Sequence, residues 1–360
     1  MNITLVISSL GSGGAERALV GLANWWCHKH KVTIITYLDK PDFYSLDDKV
    51  MRVRVSQQAS SKALSFFKRL MGLRKEIKKS NPDRILSFVD RCNVLTLLST
   101  LGLGLKVIVA ERTNPEYYNI GKTWNILREF IYPKAYRIII QTESIRKWAL
   151  KYKPDASIYT IPNAIDNSRL KLIMQSDATV KVKKFEFSIL AIGRLSHEKG
   201  HDQLLRAFSK IHHLYPQWGV EIIGDGVLRC ALEQLAEELQ LKDKVYFHGN
   251  LQNPFIMLKQ SDIFVLPSRV EGFPNVLLEA LSAGKPCISF NCPSGPSDLI
   301  SHNNNGLLVN PNDIVAMAEA MQFLIDNPEI RKKFSSQAND IIQRFNEVKI
   351  MMLWDEAVWS

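Results

Sequence analysis

The sequence predicts an α/β protein made of two doubly wound, Rossmann-like domains. Short runs of β-branched apolar residues alternate with helical patterns along the chain, which is typical of parallel βαβ units. The length of 360 residues also exceeds what one hydrophobic core usually supports, so two domains of roughly 150–200 residues are expected. In open α/β sheets, ligands bind beyond the carboxyl ends of the strands, so functional residues are expected in strand-to-helix loops.

The elements follow in order. The first half opens with the strand ITLVISSL, the helix GAERALVGLANWWCHKH and the strand KVTIITYL, followed by the strands DRILSFV, KVIVAER and AYRIIIQT. The second half repeats the pattern with FSILAIGRL, WGVEIIGDG, KVYFHGN, SDIFVLPS, KPCISF and NGLLV. The domains are expected to join near residues 160–170, and a polar, lysine-rich linker or irregular edge follows at about 171–184. Two such domains facing each other form a deep cleft.

The positive charge is concentrated in the first half. Residues 1–180 carry 28 Lys and Arg against 15 Asp and Glu, whereas residues 181–360 carry 18 against 21. A basic domain attracts either nucleic acid or an acidic membrane surface. The chain shows no helix-turn-helix pattern, no zinc spacing and no regularly spaced aromatic residues, so nucleic acid is not an expected partner.

Cysteine usage and hydropathy indicate a cytoplasmic protein. The five cysteines form no C-x-x-C pair and are odd in number, so neither a zinc site nor a disulfide framework is expected. No uninterrupted run of about 18 apolar residues predicts a transmembrane helix. The opening MNITLVISSLG has no basic residue in front and suits a buried strand better than a signal peptide.

Two glycine-containing loops are candidate phosphate sites. Gly13 and Gly14 follow the first strand and open a helix, whose free amides suit an anion. The spacing departs from G-x-G-x-x-G, so a dinucleotide site and a tight turn without a ligand both remain alternatives. In the second half, Gly193 ends a strand, and Arg194 and Lys199 follow it. Two cations in such a loop fit a diphosphate, although they can equally be solvated surface residues.

The third candidate loop, VEGFPNVLLEALSAGKP, places Glu271 and Glu279 on either side of a turn. Asn275 is the predicted N-cap of the helix that follows, and Gly284 its C-terminal stop. The turn can hold an anion, and the residues concerned are Gly272, Phe273, Pro274, Asn275 and Val276. An acid there would repel a phosphate, so both carboxylates are expected to accept hydrogen bonds from neutral hydroxyls that flank it. Ribose and hexose on either side of a diphosphate describe a nucleotide sugar; the alternatives are a solvated loop acid and a charge near a helix N-terminus.

Taken in order, these motifs resemble the retaining glycosyltransferases of family 4, which carry the GT-B fold. The series GSGGAER, IPNAID, IGRLSHEKG, IIGDG, FHGN, EGFPNVLLEALSAGKP and NGLLV covers nearly the whole chain. The ordered series is specific, whereas any one motif alone is weak. Within the family, the sequence is most similar to bacterial enzymes that build polysaccharide repeat units or lipid-linked oligosaccharides, including N-acetylgalactosaminyl transferases of N-glycan assembly.

The resemblance implies roles for single residues. Glu271 would contact the donor hexose and Glu279 the ribose, while Arg194 and Lys199 would neutralise the leaving diphosphate. Gly13 and Gly14 match the loop that closes over the phosphates. Gly193 belongs to the diphosphate loop, the amides around Phe273–Val276 match the phosphate cradle, and Phe247 with its neighbours matches the base pocket. Neither a cofactor nor a metal is implied, and the chain contains no Asp-x-Asp.

One position departs from the family pattern. Many relatives carry a histidine after the fourth strand, where this chain has Arg112 beside Glu111. Arg112 either contacts the donor sugar or diphosphate, or pairs with Glu111 and serves structure. The resemblance also implies an acceptor-binding domain at 1–165 and a donor-binding domain at 166–344. The C-terminal stretch 345–360 would be a helix that crosses back onto the first domain.

A basic amphipathic segment is the candidate membrane surface. Residues 62–79 contain seven Lys and Arg and one acid, Glu76, with apolar residues at roughly helical spacing. Such a helix either binds an anionic leaflet or packs its apolar face into the domain. The resemblance favours the membrane, because the family's lipid diphosphate acceptors lie there. The stretch 122–137 is expected to border the acceptor site.

The sequence therefore predicts a cytoplasmic enzyme, peripheral at the inner face of the plasma membrane. It would move a hexose or N-acetylhexosamine with retention from a UDP-sugar to a lipid-linked or polysaccharide-precursor saccharide. Two alternatives stay open: a catalytically silent scaffold of a polysaccharide assembly complex, suggested by Arg112, and a nucleotide-sugar epimerase of the same fold.

Overall fold

A computed structural model describes residues 1–55, 62–167, 170–172, 183–251 and 253–360 of the chain. The chain divides into two compact units. Unit 1 comprises Met1–Ala164 and Val348–Ser360, and unit 2 comprises Ile165–Glu347. The predicted linker at 171–184 lies largely outside the described residues.

Unit 1 contains a seven-stranded, all-parallel sheet with the strand order β3-β2-β1-β4-β5-β6-β7. The strands are β1 Asn2–Val6, β2 Lys31–Thr36, β3 Met51–Arg54, β4 Arg84–Phe88, β5 Val107–Ala110, β6 Arg137–Ile140 and β7 Ile158–Thr160. The helices are α1 Gly14–Trp26, α2 Lys62–Ser80, α3 Asp90–Thr100, α4 Lys122–Ile131 and α5 Arg146–Ala149. The order reverses between β1 and β4, as in a doubly wound fold.

Alternating side chains of each strand fill two separate cores in unit 1. In β4, Leu86 and Phe88 enter one core and Ile85 enters the other. Successive strand residues point to opposite faces, so a continuous apolar run buries both faces of the sheet. This explains why the central strands read as unbroken apolar runs in the sequence.

Unit 2 contains a six-stranded parallel sheet with the order β10-β9-β8-β11-β12-β13. The strands are β8 Phe187–Ile192, β9 Trp218–Ile223, β10 Val245–Gly249, β11 Ile263–Leu266, β12 Cys287–Phe290 and β13 Gly306–Val309. The helices are α6 His201–Ser209, α7 Arg229–Glu238, α8 Phe255–Gln260, α9 Asn275–Ser282, α10 Pro296–Leu299, α11 Ile314–Asp326, α12 Pro328–Ser335 and α13 Ala338–Arg344. A last helix, α14 Glu347–Trp359, begins at the end of unit 2.

The structure confirms the α/β prediction and all eleven strands expected from the sequence. It adds β3 and β7, which the sequence analysis missed. Both are the outer strands of the unit 1 sheet. They are only 4 and 3 residues long and partly exposed, so neither carries a continuous apolar run.

Helix α14 packs on unit 1 through aromatic contacts. Trp354 stacks on Phe88 with ring centroids 5.6 Å apart, and the indole nitrogen of Trp26 donates to Asp355 at 2.6 Å. Trp354 is buried in the same core as β1, β2 and β4. The C-terminal segment therefore completes a core that residues 1–164 begin.

Helix α2 is partly an inward-packing helix. Leu73 and Ile77 are buried, whereas Phe67 and Met71, one turn apart, are exposed. The described part of the candidate membrane segment therefore packs one face into the core, as the second alternative expects, and also presents apolar groups to solvent. Among the described helices, none is both long and apolar enough to cross a bilayer.

Candidate functional site

The candidate site in unit 2 lies where the strand order reverses. β8 and β11 are neighbours, and the loops that follow them meet at their carboxyl ends. Lys199 of the first loop donates from Nζ to Oε1 of Glu271 in the second loop, at 2.7 Å. The Glu271 side chain is 7% exposed and that of Lys199 is 26% exposed. A crevice at such a reversal is the usual ligand site of doubly wound sheets.

Serine hydroxyls hold Glu271 from two sides. Ser268 Oγ donates to Glu271 Oε1 at 2.7 Å, and Ser294 Oγ donates to the backbone carbonyl of Glu271 at 2.6 Å. Gly295, next to Ser294, has a φ of 98°, and a Cβ there would lie 2.3 Å from Pro274. Neither serine was predicted as a site residue, since their positions after β11 and β12 become meaningful only once the strand order is known.

The turn after Glu271 leads directly into α9. Pro274 occupies the N-cap and Asn275 is the first helical residue, so the prediction of Asn275 as N-cap was wrong. The reason is local: the Pro274 carbonyl accepts from the Leu278 amide at 3.1 Å, and this first helical bond makes Pro274 the N-cap. Gly284 follows the helix with a φ of 70°, as its predicted stop role requires.

Glu279 lies one turn inside α9 and is buried. Phe273 is also buried, whereas Gly272 and Val276 are partly exposed beside it. The structure thus places the second acid of the pair on the same turn-and-helix unit as Glu271. Both carboxylates are shielded from bulk water, which strengthens any hydrogen bond they accept.

The cations of the β8 loop differ in their surroundings. Arg194 is exposed, and its nearest charged neighbour is Glu198 at 3.9 Å. Gly193 donates its amide to Ile223 at 2.9 Å, and Gly200 has a φ of 65° with no room for a Cβ against Pro267. The loop therefore carries one exposed cation, Arg194, and one cation, Lys199, that is paired with a buried carboxylate.

His201 begins α6 beneath this loop and is buried. Burial lowers the pKa of its imidazole to about 4, so the ring is neutral at physiological pH. A Cβ on Gly193 would lie 3.5 Å from Nε2 of His201. His201 was not among the site residues predicted from the sequence.

Phe247 lies in the middle of β10, the outer strand of the unit 2 sheet. Its carbonyl accepts from Arg229 Nη2 at 3.1 Å, and the guanidinium lies 5.2 Å from the centre of the Phe247 ring. The neighbouring His248 contacts the fully buried Glu221 at 2.6 Å. Arg229, which the sequence analysis missed, is thus part of the surface where a base pocket was predicted.

In unit 1, the glycine loop after β1 is exposed and held from outside. Gly13 is the N-cap of α1 and Gly14 its first residue. The hydroxyl of Tyr44 donates to the carbonyls of Ser12 and Gly13 at 3.0 and 3.3 Å. Tyr44 therefore fixes the loop by hydrogen bonds to two of its carbonyl groups.

Arg112 follows β5 and is buried. It donates to Asn163 and lies 5.1 Å from the centre of the Phe88 ring. Burial and the nearby Arg17 guanidinium lower its pKa to about 9. Glu111 instead accepts from the hydroxyl of Tyr132, so the two neighbours that the sequence analysis considered as a pair have different partners.

Comparisons with known proteins agree with this architecture. Residues 12–169 match the family described as Glycosyltransferase Family 4, and residues 175–340 match Glycosyl transferases group 1. A solved structure of Alr3699/HepE from Anabaena in complex with UDP superposes with a TM-score of 0.79 at 19% identity, over 99% of both chains. That likeness shows a shared fold.

Two relatives from Campylobacter jejuni subsp. jejuni serotype O:2 match almost end to end. One, named GalNAc-alpha-(1->4)-GalNAc-alpha-(1->3)-diNAcBac-PP-undecaprenol alpha-1,4-N-acetyl-D-galactosaminyltransferase, is 31% identical over 98% of this chain and 97% of its own length. The other, N-acetylgalactosamine-N,N'-diacetylbacillosaminyl-diphospho-undecaprenol 4-alpha-N-acetylgalactosaminyltransferase, is 27% identical over 96% of both chains. The two doubly wound sheets, both family matches and the near end-to-end alignment at 31% identity agree. We conclude that the chain belongs to the glycosyltransferases of family 4, with the GT-B fold.

Proposed function

We propose that this glycosyltransferase moves a hexose or N-acetylhexosamine, with retention, from a UDP-sugar to a saccharide carried on a lipid diphosphate. The observation that carries the donor half of the proposal is the 2.7 Å contact between Lys199 and Glu271 at the strand reversal of unit 2. In this contact, an ammonium group suited to phosphate lies beside a buried carboxylate suited to accept hydrogen bonds from sugar hydroxyls.

The donor chemistry follows from the charges. In the free protein Lys199 offsets the buried charge of Glu271. When a diphosphate binds, Lys199 and Arg194 turn to its oxygens, and Glu271 is left to accept from sugar hydroxyls. Glu279 accepts from the ribose, while Gly193 and the turn from Gly272 to Val276 line the phosphates. Phe247 and Arg229 offer a flat apolar and cationic surface for the base.

In the proposed reaction the departing diphosphate leaves from the face that the acceptor attacks, and it takes the acceptor proton. Lys199 and Arg194 stabilise the charge that develops on the leaving group. Glu271 orients the sugar, Gly13 and Gly14 bind phosphate through the glycine loop, and Arg112 contacts the transferred sugar. A trapped glycosyl adduct on Glu271 would contradict this assignment.

The lipid-linked acceptor is supported by the names of the two Campylobacter relatives, both of which specify an undecaprenol-linked saccharide. UDP is supported by the complex of Alr3699/HepE. A second exposed apolar pair, Ile126 and Phe130, lies on α4, next to α2 through the contact of Phe66 with Trp124 at 5.7 Å. We call Phe67, Met71, Ile126 and Phe130 the apolar pairs of α2 and α4, and we assign them to peripheral binding at an anionic membrane surface.

A thermal-shift panel of UDP- and GDP-sugars tests the donor. A bound donor stabilises the folded protein by mass action, so the correct nucleotide should raise the melting temperature in a concentration-dependent way. Transfer to an undecaprenyl-diphosphate saccharide should then follow. Stabilisation without transfer to any saccharide would identify a silent scaffold, and product formed without an acceptor would identify an epimerase; either result refutes the proposal.

A further inference from the structure

Unit 1 gathers three metal-ligand side chains away from the loops described above. Cys27 and His28 follow α1, and Asp47 lies in the segment 37–50 that precedes β3. One ligand atom from each, the Cys27 sulfur, a His28 ring nitrogen and an Asp47 carboxylate oxygen, lies within 4.8 Å of the other two. His28 Nε2 is 3.6 Å from Asp47 Oδ2. Bonds of about 2.0–2.3 Å in a tetrahedral zinc site place neighbouring ligands roughly 3.3–3.8 Å apart. The three atoms are thus within a small contraction of a coordination shell.

We propose that Cys27, His28 and Asp47 bind one divalent transition-metal ion of the zinc class, with water as the fourth ligand. A thiolate, an imidazole and a carboxylate form a donor set typical of zinc. The hard cations Mg²⁺ and Ca²⁺ prefer an all-oxygen shell and do not suit a thiolate. The ligand set therefore specifies the class of metal.

Backbone contacts already orient two of the ligands. The Lys49 amide donates to Asp47 Oδ1 at 2.9 Å, and the Asp47 amide donates to the side-chain oxygen of Asn24 at 2.9 Å. Asp47 Oδ2 is the oxygen that faces His28. Cys27 follows the last turn of α1, where its amide donates to the Ala23 carbonyl at 3.0 Å and its Sγ donates to the Asn24 carbonyl at 3.2 Å. Outer contacts of this kind fix metal ligands in position.

One cation near the site must move. Lys49 Nζ lies 3.4 Å from His28 Nδ1. When Nε2 of an imidazole binds a metal, Nδ1 carries the proton, and two donors then face each other. Lys49 is exposed and can turn into solvent. Replacing it with a neutral residue should therefore tighten metal binding, because it also removes a positive charge beside the ion.

The ion would fasten the segment 37–50 to the end of α1. Asn24 of α1 already donates to the Ser45 carbonyl of that segment at 3.1 Å. Tyr44 of the same segment holds the carbonyls of Ser12 and Gly13. The proposed metal thus stabilises the segment that carries Tyr44, and through Tyr44 it stabilises the glycine loop. This inference stands independently of the donor and acceptor proposed above.

Cobalt titration of the full-length protein after chelator treatment tests the site. We expect one Co²⁺ per chain, a near-ultraviolet thiolate-to-cobalt charge-transfer band, and displacement by Zn²⁺. Cys27→Ser should abolish the band, and His28→Gln and Asp47→Asn should weaken Co²⁺ affinity by at least about 10-fold. Lys49→Gln should increase the affinity.

Cys230→Ser is the matched control, because Cys230 is exposed on α7 of unit 2. The thiolate-to-cobalt band of Cys230→Ser should equal that of the unmodified protein. If circular dichroism shows that Cys27→Ser does not fold, His28→Gln and Asp47→Asn decide the test. In these two variants Zn²⁺ should no longer raise the melting temperature as it does in the unmodified protein. Absence of a thiolate band, or a band that depends on Cys230 and not on Cys27, would overturn the proposal.

Discussion

Glu271 and Glu279 belong to one turn-and-helix unit but occupy different positions in it. Glu271 is tied to Lys199 of another loop and to the hydroxyl of Ser268, whereas Glu279 belongs to the interior of α9. Under the proposed function the first orients the transferred sugar and the second holds the ribose. The two carboxylates should therefore affect different kinetic quantities.

Glu279→Ala should weaken nucleotide binding, and Glu271→Ala should mainly reduce turnover. A lost hydrogen bond to a charged group costs about 1.5–3 kcal/mol, which is roughly 10- to 150-fold in Kd. A misoriented sugar costs on the order of 100-fold in kcat. Calorimetric titration with the nucleotide and steady-state kinetics measure the two effects. Equal losses of binding and turnover in both variants would contradict the division.

Glu111 is a buried carboxylate outside the unit 2 site. Burial raises its pKa to about 7, and the Tyr132 hydroxyl, which donates to it, only partly offsets that effect. The folded state therefore keeps a proton that the unfolded chain releases near pH 4.5. This group's contribution to stability is complete below about pH 4.5 and is lost as the pH rises through about 7.

Glu111→Gln should remove this pH dependence, because an amide does not ionise. The free energy of unfolding of the variant, relative to the unmodified protein, should rise by about 3 kcal/mol between pH 4.5 and 8. Urea denaturation across that range measures it. Glu129→Gln is the control, since Glu129 is exposed and also accepts from a tyrosine hydroxyl, that of Tyr152 at 2.7 Å. The prediction is refuted if the difference in unfolding free energy between Glu111→Gln and the unmodified protein does not change with pH.

At the level of elements, α2 and α4 each bury some apolar side chains in the core and expose others to solvent. Leu73 of α2 and Ile131 of α4 enter the core, and the apolar pairs of α2 and α4 remain in solvent. Phe130 is 77% exposed, which is unusual for so large an apolar side chain. Helix α2 carries seven Lys and Arg against one acid, so its surface suits an anionic leaflet.

Phe67→Ser and Phe130→Ser should each weaken binding to vesicles that contain anionic lipid. Removing a phenylalanine that would enter the interface costs at least about 1.5 kcal/mol, or roughly 10-fold in partitioning. Stability should change by no more than about 0.5 kcal/mol, because both rings are exposed. Vesicle co-sedimentation measures the effect, and Leu214→Ser, an exposed position in unit 2, is the control. Unchanged sedimentation of both phenylalanine variants would exclude these helices as the contact surface.

At the scale of the whole molecule, the two ends of the chain build one core. Trp354 near the C-terminus stacks on Phe88, and Met351 contacts Gly21 of α1, where a Cβ would lie 3.6 Å from Cε of Met351. Unit 1 is therefore incomplete without residues Val348–Ser360. Its stability depends on a contact between the most distant parts of the sequence.

Trp354→Ala should destabilise the protein by about 3–5 kcal/mol, the usual cost of removing a large buried aromatic side chain. Met352→Ala is the matched control on the same helix, because Met352 is 62% exposed and should cost no more than about 0.5 kcal/mol. Urea unfolding followed by tryptophan fluorescence and circular dichroism reports the shift. Equal midpoints for the two variants would show that α14 does not stabilise unit 1.

Local patterns in the sequence determined the fold class, eleven of the thirteen strands and the spacing of Glu271 and Glu279. Apolar runs, glycine positions and turn residues act over a few residues, so they can be recognised without the fold. The edge strands β3 and β7 escaped recognition because they are short and half-exposed. The N-cap of α9 was misplaced by one residue because the bond from the Leu278 amide to the Pro274 carbonyl, and not the residue type at position 275, defines where the helix begins.

Only the tertiary structure decided which distant side chains meet. Lys199 reaches Glu271, Ser294 reaches the backbone of Glu271, and Tyr132 reaches Glu111, because strand order and helix packing bring their segments together. The same holds for Cys27, His28 and Asp47, whose spacing in the sequence matches no metal motif. Sequence patterns describe neighbours along the chain, whereas a site depends on neighbours across a sheet, and these are set by the crossovers of the whole fold.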